Sequence, residues 1–310
     1  MLYILKASPL CSIQDLGRVG LRSIGITQGG AIDPFSFKIA NKLVGNADNC
    51  PCIEITLGPV EIEFARDAWI SLTGAFYESY LDDKKIYNGW RVKVISGQKL
   101  KLNYAIKGMH CYLAIDGGID VKQVLNGCGT DLNNHFGGYR GRNLQRGDQL
   151  KLGKPHFLMK KRGVLLPQKN KFIRVLQGPD FFKFTKENCE KFWRQNWLIT
   201  NQCNRMGYRL QGNSIEFNNK SEILSHATLP GLIQIPPNGQ PIVLMSDAQT
   251  TGGYPRFGYI IKADLWKLAQ TEINKTVQFY PSNFEEAHRA LKKQEIYLSK
   301  LEWSLNENRS

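Results

Sequence analysis

Apolar and polar residues alternate on both sides of Gly58-Pro59 in the stretch IEITLGPVEIEF, residues 53–64. A period of two puts every second side chain on one face of a strand, so this stretch predicts two strands with a turn between them. The runs AWISLTG and MHCYLAIDGG predict further strands that end at glycine. The sequence therefore predicts a mostly β chain with a few helices, arranged as two barrel-like domains. The alternating apolar positions are Ile53, Ile55, Leu57, Val60, Ile62 and Phe64.

Four segments predict helices, one of them a short helix near Ala263 to Gln270. Asp33 is a suitable N-cap and Pro34 suits the first helical position, with an apolar stripe continuing toward Gly45. Asp180 is the predicted cap of a second helix that runs through Trp193. The tail from Phe284 to Leu301 places its apolar residues on roughly one helical face.

The chain has 310 residues, which favours two domains. Between residues 153 and 171 the amino-acid composition becomes basic and rich in proline and glycine, as in a linker or surface connection. We therefore expect a β-rich N-terminal domain over residues 1–155, a basic linker over 156–171, and a C-terminal barrel domain with a terminal helix over 172–310.

The formal net charge of +14 favours anionic partners, such as acidic proteins or small anionic molecules. No nucleic-acid-binding motif accompanies the charge, so we expect no nucleic acid partner. There is no apolar run of the ~20 residues that a membrane helix needs, and no signal peptide is recognisable. Seven cysteines without a CxxC pair suit free thiols in the cytoplasm, and the scattered histidines predict no metal site.

The first polar constellation is QDLGRVG, with Gln14, Asp15 and Arg18 around two glycines. Asp15 and Arg18 can stabilise the turn by pairing, or Arg18 can present its planar fork to an anionic ligand. Judged alone, the motif favours the turn. A second polar stretch, residues 129–148, contributes Thr130 and Asp131 from a long glycine-rich loop of the kind that often binds ligands.

The stretch DAQTTGGYP concentrates hydrogen-bonding side chains ahead of two glycines. Backbone amides beside threonine hydroxyls can hold a carboxylate, carbamate or phosphate oxygen. A turn in which Asp247 and the threonines bond nearby backbone is the alternative, and both remain open. Arg205, in NRMGYRLQG, and Gln234, on a predicted strand, are further candidates. No GxxxxGK[ST] phosphate loop occurs.

These constellations occur together and in order. The chain resembles the biotin-dependent carboxyltransferase subunit family, which includes KipA, allophanate hydrolase subunit 2 and the C subunit of 5-oxoprolinase. The resemblance extends from about Gln14 to Gln270. It is carried by the stretches QDLGRVG, GGAIDPFSFKIANKLVGN, IEITLGP, GGIDVKQVL, FGGYRGRNLQRGD, RMGYRLQG, GLIQIPPNGQPIVLM and DAQTTGGYP.

The resemblance implies a cyclophilin-like β-barrel and a role as the C subunit of an ATP-dependent 5-oxoprolinase, a complex that hydrolyses 5-oxoproline to glutamate. It implies ATP at the level of the complex, with a KipI-like protein and a LamB/YcsF-like protein as the other two components. We expect catalytic roles for Asp131, Asp247, Thr250 and Thr251. We expect substrate binding by Gln14, Asp15, Arg18, Thr130, Arg205, Gln234, Gln249, Gly252, Gly253 and Tyr254.

Two alternatives stay open. One is a KipA-like antagonist that binds a KipI-like protein without turnover. The other is the carboxyltransferase component of a urea or amide carboxylase. The only Met-Lys pair, Met159-Lys160, is not in a biotin-attachment turn, so we expect no biotin on this chain. We also expect no fused carrier module, which favours the 5-oxoprolinase interpretation.

The sequence departs from the family pattern beside the candidate loops. NGCGTD replaces the common GSRSTD, so Cys128 stands at the usual arginine and Gly129 at a usual serine. Asn204 replaces the aspartate of SDRMG, and His226 replaces a glutamate. Because an arginine makes strong charge-assisted bonds to anions, these changes suggest a divergent or weakened member, whose substrate can differ from that of its relatives.

Overall fold

A computed structural model describes residues 1–155, 159–217 and 223–306, and the chain divides into two units. The first unit comprises Met1–Arg18, Gly29–Gln168 and Ile296–Ser310, and the second comprises Val19–Gln28 and Lys169–Glu295. The predicted domain boundaries remain predictions. Within the expected linker, residues 156–158 lie outside the described residues, as do residues 307–310 of the expected C-terminal domain.

In the described part of the chain, the first unit contains ten strands and the helix α1. The elements are β1 (Leu2–Lys6), β2 (Leu10–Gln14), α1 (Pro34–Leu43), β3 (Cys52–Thr56), β4 (Val60–Phe64), β5 (Ala68–Leu81), β6 (Lys84–Ile86), β7 (Trp90–Val94), β8 (Lys99–Ile115), β9 (Gln149–Leu150) and β10 (Arg162–Gly163).

These strands form one branched sheet with the order β10-β7-β5-β8-β4-β1-β9, in which β2 and β3 branch from β8 and β6 from β5. The stretch around Gly58-Pro59 forms β3 and β4 as predicted, but each pairs with β8. Leu57 departs from the alternating pattern, because its φ of 62° and 40% exposure place it in the turn. The buried faces of β1, β4, β5 and β8 supply most of the apolar core.

Helix α1 begins as the sequence predicts. The Asp33 carboxylate accepts hydrogen bonds from the N–H groups of Phe35 (3.1 Å) and Ser36 (3.0 Å), which otherwise lack partners in the first turn. Gly45 follows the helix with a left-handed φ of 71°.

The remaining elements, apart from the C-terminal part of the last helix, belong to the second unit. They are β11 (Phe172–Gln177), α2 (Lys186–Arg194), β12 (Trp197–Cys203), β13 (Gly207–Gln211), β14 (His226–Ala227), β15 (Leu232–Gln234), β16 (Ile242–Leu244), β17 (Thr251–Gly252), β18 (Arg256–Ile260), α3 (Leu265–Ala269), β19 (Thr276–Pro281) and α4 (Phe284–Asn306).

Seven of these strands close a barrel in the order β11-β18-β15-β16-β13-β12-β19, and the parallel pairing of β11 with β19 completes the ring. An aromatic core fills this unit, with Phe192 stacked on Phe279 and close to Phe257. This confirms the predicted mostly β fold with a few helices and the predicted barrel of the second unit, whereas the described strands of the first unit form the branched sheet given above. Strands β14 and β17 form a separate two-stranded sheet, called the β14–β17 ribbon below.

The predicted cap of the second helix is wrong. Helix α2 begins after Thr185, whose hydroxyl accepts from the N–H of Asn188 (3.2 Å), and Asp180 precedes a 3-10 turn without capping it. Asp180 instead pairs with Arg256 (2.7 Å) and Lys183 (2.9 Å). Burial opposes its ionisation, but the hydrogen bonds from these two cations outweigh burial and lower the pKa of Asp180.

Helix α4 confirms the predicted tail helix and extends it to Asn306. Its buried positions include Ala290, Leu298 and Leu301, whereas Phe284 is 82% exposed and lies off the packed face. Among residues 1–155, 159–217 and 223–306, no helix combines the length and the apolar character needed to cross a membrane.

Candidate functional site

The first cluster of candidate residues lies in the first unit, around the loop that follows β2. Asp15 is buried, and its carboxylate accepts hydrogen bonds from the backbone N–H groups of Gly17 (2.8 Å) and Cys128 (2.6 Å). Each carboxylate oxygen therefore has a backbone partner. Asp15 joins two loops that are far apart in the sequence.

Arg18 is fully buried, and its guanidinium bonds to backbone. It donates to the carbonyl oxygens of Val124 (3.0 Å) and Gly129 (2.8 Å), and it lies over the ring of Phe136 at 4.6 Å. A buried arginine needs such partners because an uncompensated charge is costly in the interior. In this geometry, Arg18 shapes the loop around Gly129.

The other candidates of the first cluster also make internal bonds. The Thr130 hydroxyl donates to the carbonyl of Ile13 (2.9 Å), and Gln14 donates to the carbonyl of Thr130 (3.3 Å). The Asp131 carboxylate accepts from the backbone N–H of Asn134 (2.9 Å), as an aspartate does in a local turn. The Oε1 atom of Gln14 is buried without a partner among the described residues.

The second cluster lies in the second unit and centres on an ion pair. Arg205, in the turn between β12 and β13, donates from Nε and Nη2 to the two oxygens of Asp247, each at 2.8 Å. Asp247 follows β16, and its backbone N–H donates to the carbonyl of Arg205 (2.8 Å). Both side chains are largely buried, so the fork fixes the orientation of the carboxylate.

Arg22 fixes the backbone beside this pair. Its Nη2 donates to the carbonyls of Thr228 (2.8 Å) and Gln249 (2.6 Å), and its Nη1 donates to that of Ala248 (3.4 Å). Burial lowers the pKa of Arg22. The sequence reasoning missed Arg22, for which the only signal was an arginine between Gly20 and Gly25.

The DAQTTGGYP stretch forms one side of the β14–β17 ribbon. His226 pairs with Gly252 and Ala227 with Thr251, and the N–H of Thr228 donates to the carbonyl of Thr250 (3.0 Å). The Thr250 hydroxyl makes no hydrogen bond to any residue that the structure describes.

The remaining candidates surround the ribbon. Gln249 is half-buried, whereas Thr251, Gly253 and Tyr254 are exposed. Gln234, at the end of β15, is 1% exposed. The structure groups the candidates as Gln14, Asp15, Arg18, Thr130 and Asp131 in the first unit, and Arg205, Gln234, Asp247, Gln249, Thr250, Thr251, Gly252, Gly253 and Tyr254 in the second.

The positions that depart from the family pattern have structural partners. Asn204 accepts hydrogen bonds from the N–H groups of Met206 (2.8 Å) and Gly207 (3.2 Å), which an aspartate would also accept. A Cβ atom at residue 129 would lie 2.7 Å from Oδ1 of Asp15, so glycine fits this packing. Burial raises the pKa of the Cys128 thiol, and the nearby Asp15 carboxylate adds to this effect.

Comparisons with known proteins agree with this architecture. Residues 24–281 match the family model described as carboxyltransferase domain, subdomain A and B. The C subunit of Escherichia coli 5-oxoprolinase is 46% identical, covering 99% of this chain and 100% of the relative. The C subunit of Haemophilus influenzae 5-oxoprolinase is 43% identical, covering 97% of each chain.

Among solved structures, the K. lactis urea amidolyase is similar, with a TM-score of 0.90 and 27% identity. The alignment covers 97% of this chain but only 20% of the urea amidolyase chain. The match to the family model and the similarity to full-length relatives lead to one conclusion: the chain belongs to the carboxyltransferase domain, subdomain A and B, family.

Proposed function

We propose that this protein is the C subunit of an ATP-dependent 5-oxoprolinase, which hydrolyses 5-oxoproline to glutamate together with a KipI-like protein and a LamB/YcsF-like protein. The observation that carries the proposal is the 46% identity to the Escherichia coli protein of that name over the whole of its length. The seven free cysteines support a reducing, cytoplasmic setting.

The second cluster supplies groups that suit this substrate. 5-Oxoproline is an anion with a lactam carbonyl, and its hydrolysis develops negative charge on that oxygen. The Thr250 hydroxyl and the backbone amide of Gly253 are the donors that we assign to substrate oxygens. Gly252 stays a candidate as the residue paired with His226 in the ribbon, and its own N–H belongs to that pairing. Asp247, held in place by Arg205, is the group that we assign to orient water or move a proton.

The contacts of Arg18 and Arg205 change the roles that we assign to them, from binding the substrate to positioning other groups. Because both nitrogens of the Arg205 fork face Asp247, Arg205 acts in the proposal by positioning this carboxylate rather than by holding the substrate directly. Arg18 and Asp15 shape the loop of the first cluster in the same indirect way. We keep Thr130 and Asp131 as candidates there.

ATP enters the proposal only at the level of the complex. A triphosphate needs cationic or backbone donors, but Arg18 and Arg22 are bonded to backbone carbonyls and Arg205 to Asp247. The sequence also lacks a GxxxxGK[ST] loop. These residues do not fit a bound triphosphate, so no step on this chain is assigned to ATP.

Reconstitution tests the proposal. Purified protein mixed with the KipI-like and LamB/YcsF-like proteins, ATP and 5-oxoproline should release glutamate. A stable complex with the KipI-like protein that produces no glutamate would favour the antagonist interpretation and overturn the proposal.

A second candidate function is carboxyl transfer to urea or another amide. The structural similarity to urea amidolyase favours it, because the fold is alike over 97% of this chain. This candidate requires bicarbonate and a biotinylated carrier protein from elsewhere. Carboxylation of an amide that depends on both additions would identify this activity, whereas glutamate release without them would exclude it as the explanation.

A further inference from the structure

Gln234 is a buried polar side chain that contacts the ribbon at Gly252. Its side chain is 1% exposed, and its Nε2 atom has no hydrogen-bond partner among the described residues. Leaving a buried donor unpaired costs free energy, and most buried polar groups in folded proteins are paired. A buried amide that the fold leaves unpaired therefore calls for an explanation outside folding.

Gly252 packs directly against this amide. A Cβ atom on Gly252 would lie 2.8 Å from Nε2 of Gln234 and 3.0 Å from the methyl carbon of Thr228. Gly252 does not have a left-handed φ, so its backbone conformation does not require glycine. The requirement for glycine at this position comes from the close approach to the Gln234 amide.

The part of the unit that covers the amide is weakly attached. The β14–β17 ribbon has two residue pairs and is a separate sheet from the barrel. Short two-stranded ribbons are marginally stable, and such segments open at low free-energy cost. Arg22 and the Thr228 hydroxyl hold the ribbon at its Thr228–Gln249 end. Beyond Gly252, the N–H of Ile235 donates to the carbonyl of Pro255 (3.1 Å), so the short paired segment between these two anchors is the part that can shift.

We propose that the Nε2 donor of Gln234 is reserved for an oxygen atom of the substrate, which takes up a position between this amide and Gly252 when the ribbon shifts. The oxygen belongs to a carboxylate or a lactam carbonyl, since only an acceptor complements an N–H donor. Arg22 bonds to the carbonyl of Thr228, whose methyl carbon lies beside Gly252, so Arg22 helps to fix the backbone around this position. This inference rests on the proposed function for the identity of the substrate.

A pair of glutamine substitutions tests the inference. Gln234→Met has a similar shape but no donor, so it should raise the Tm by about 1–3 °C by removing an unpaired buried group. In the reconstituted enzyme it should raise the KM for 5-oxoproline by about 10- to 100-fold, with a smaller change in kcat. Gln234→Glu, which replaces the donor with an acceptor, should raise the KM at least as much.

Gln240 provides a matched control in the same unit. Its amide group donates to the carbonyl of Gly212 (3.1 Å) and accepts from the N–H of Gly212 (2.9 Å). Gln240→Met should therefore lower the Tm and leave the KM unchanged. We therefore expect the Tm to rise in Gln234→Met and to fall in Gln240→Met.

The inference is overturned if Gln234→Met lowers the Tm as Gln240→Met does, or if the KM stays at the wild-type value. The Tm comparison needs no enzymatic activity, so it separates the two proposals. If the wild-type mixture makes no glutamate, the proposed function fails while a raised Tm for Gln234→Met still marks a donor that the fold does not use.

Discussion

At the scale of single residues, the pair of Arg205 and Asp247 is the most informative contact. The sequence indicated both residues as candidates, but it gave no sign that they bond to each other across 42 positions. Their pairing narrows the question of whether the DAQTTGGYP stretch binds a ligand or only forms a turn to the role of one carboxylate. The Asp247 carboxylate is either an oriented catalytic group or only a clasp for the turn.

Asp247→Asn distinguishes these two roles. The substitution weakens a bidentate, charge-assisted contact, so the free energy of unfolding should fall by roughly 2 kcal/mol. Turnover in the reconstituted enzyme should fall about 100-fold or more, as expected for loss of a general base. Arg205→Lys keeps the positive charge but loses the fork, and its turnover should be intermediate. Full turnover by Asp247→Asn would make the pair a clasp.

Thr250→Ala tests the ribbon without disturbing its stability. The hydroxyl makes no hydrogen bond within the described part of the chain, so the free energy of unfolding should stay within about 0.5 kcal/mol of wild type. Turnover should drop about 100-fold if this hydroxyl stabilises developing oxyanion charge. Unchanged turnover at unchanged stability would place the reacting oxygen away from Thr250.

At the scale of elements, the sequence predicts those strands and helix starts that depend on neighbouring residues. The alternation around Gly58-Pro59 and the Asp33-Pro34 helix start are short-range patterns, and the structure contains both. Asp180 looked like a cap from its neighbours, but its partner Arg256 is 76 residues away. Arg22 was missed for the same reason, since the carbonyls that it binds lie more than 200 residues later.

Arg22→Lys should loosen the ribbon. A lysine ammonium cannot reproduce the planar fork that bonds three carbonyl groups, so the Tm should fall by a few degrees. Hydrogen exchange at the Thr228 amide, which bonds to the carbonyl of Thr250, should become faster. Arg289→Lys, on the exposed side of α4, is the control and should change neither quantity. Unaltered exchange in Arg22→Lys would show that the ribbon is held by other contacts.

The Asp180–Arg256 pair, where β11 ends and β18 begins, gives a pH dependence. The pKa of Asp180 in the folded protein lies below its ordinary value of 3.8, so ionised Asp180 stabilises the fold above that pH. The stability advantage of wild type over Asp180→Asn should be constant above about pH 5 and shrink as the pH falls below about 4. Urea unfolding followed by tryptophan fluorescence measures this difference in the free energy of unfolding. Asp83→Asn, at an exposed position, is the control. An advantage that persists undiminished at about pH 2.5 would contradict the assignment.

At the scale of the whole molecule, the prediction from sequence rested on a series of motifs rather than on any single site. No catalytic signature such as GxSxG or a metal-ligand spacing occurs, and the order of the loops along the chain carried the information. The family model and the full-length relatives confirm the family membership that this order of loops predicts. The contacts within the loops were beyond sequence reasoning, because they depend on which distant backbone carbonyls the fold brings to each arginine.

If this chain is a required component of a 5-oxoprolinase, glutamate formation depends on it. The most direct measurement is the initial rate of glutamate formation from 5-oxoproline and ATP, with the KipI-like and LamB/YcsF-like proteins fixed and this protein added in increasing amounts. The rate should be negligible without the protein, rise linearly as it is added, and level off at a fixed ratio to the KipI-like protein. A rate that is the same with and without the protein, or that falls as it is added, would contradict this dependence.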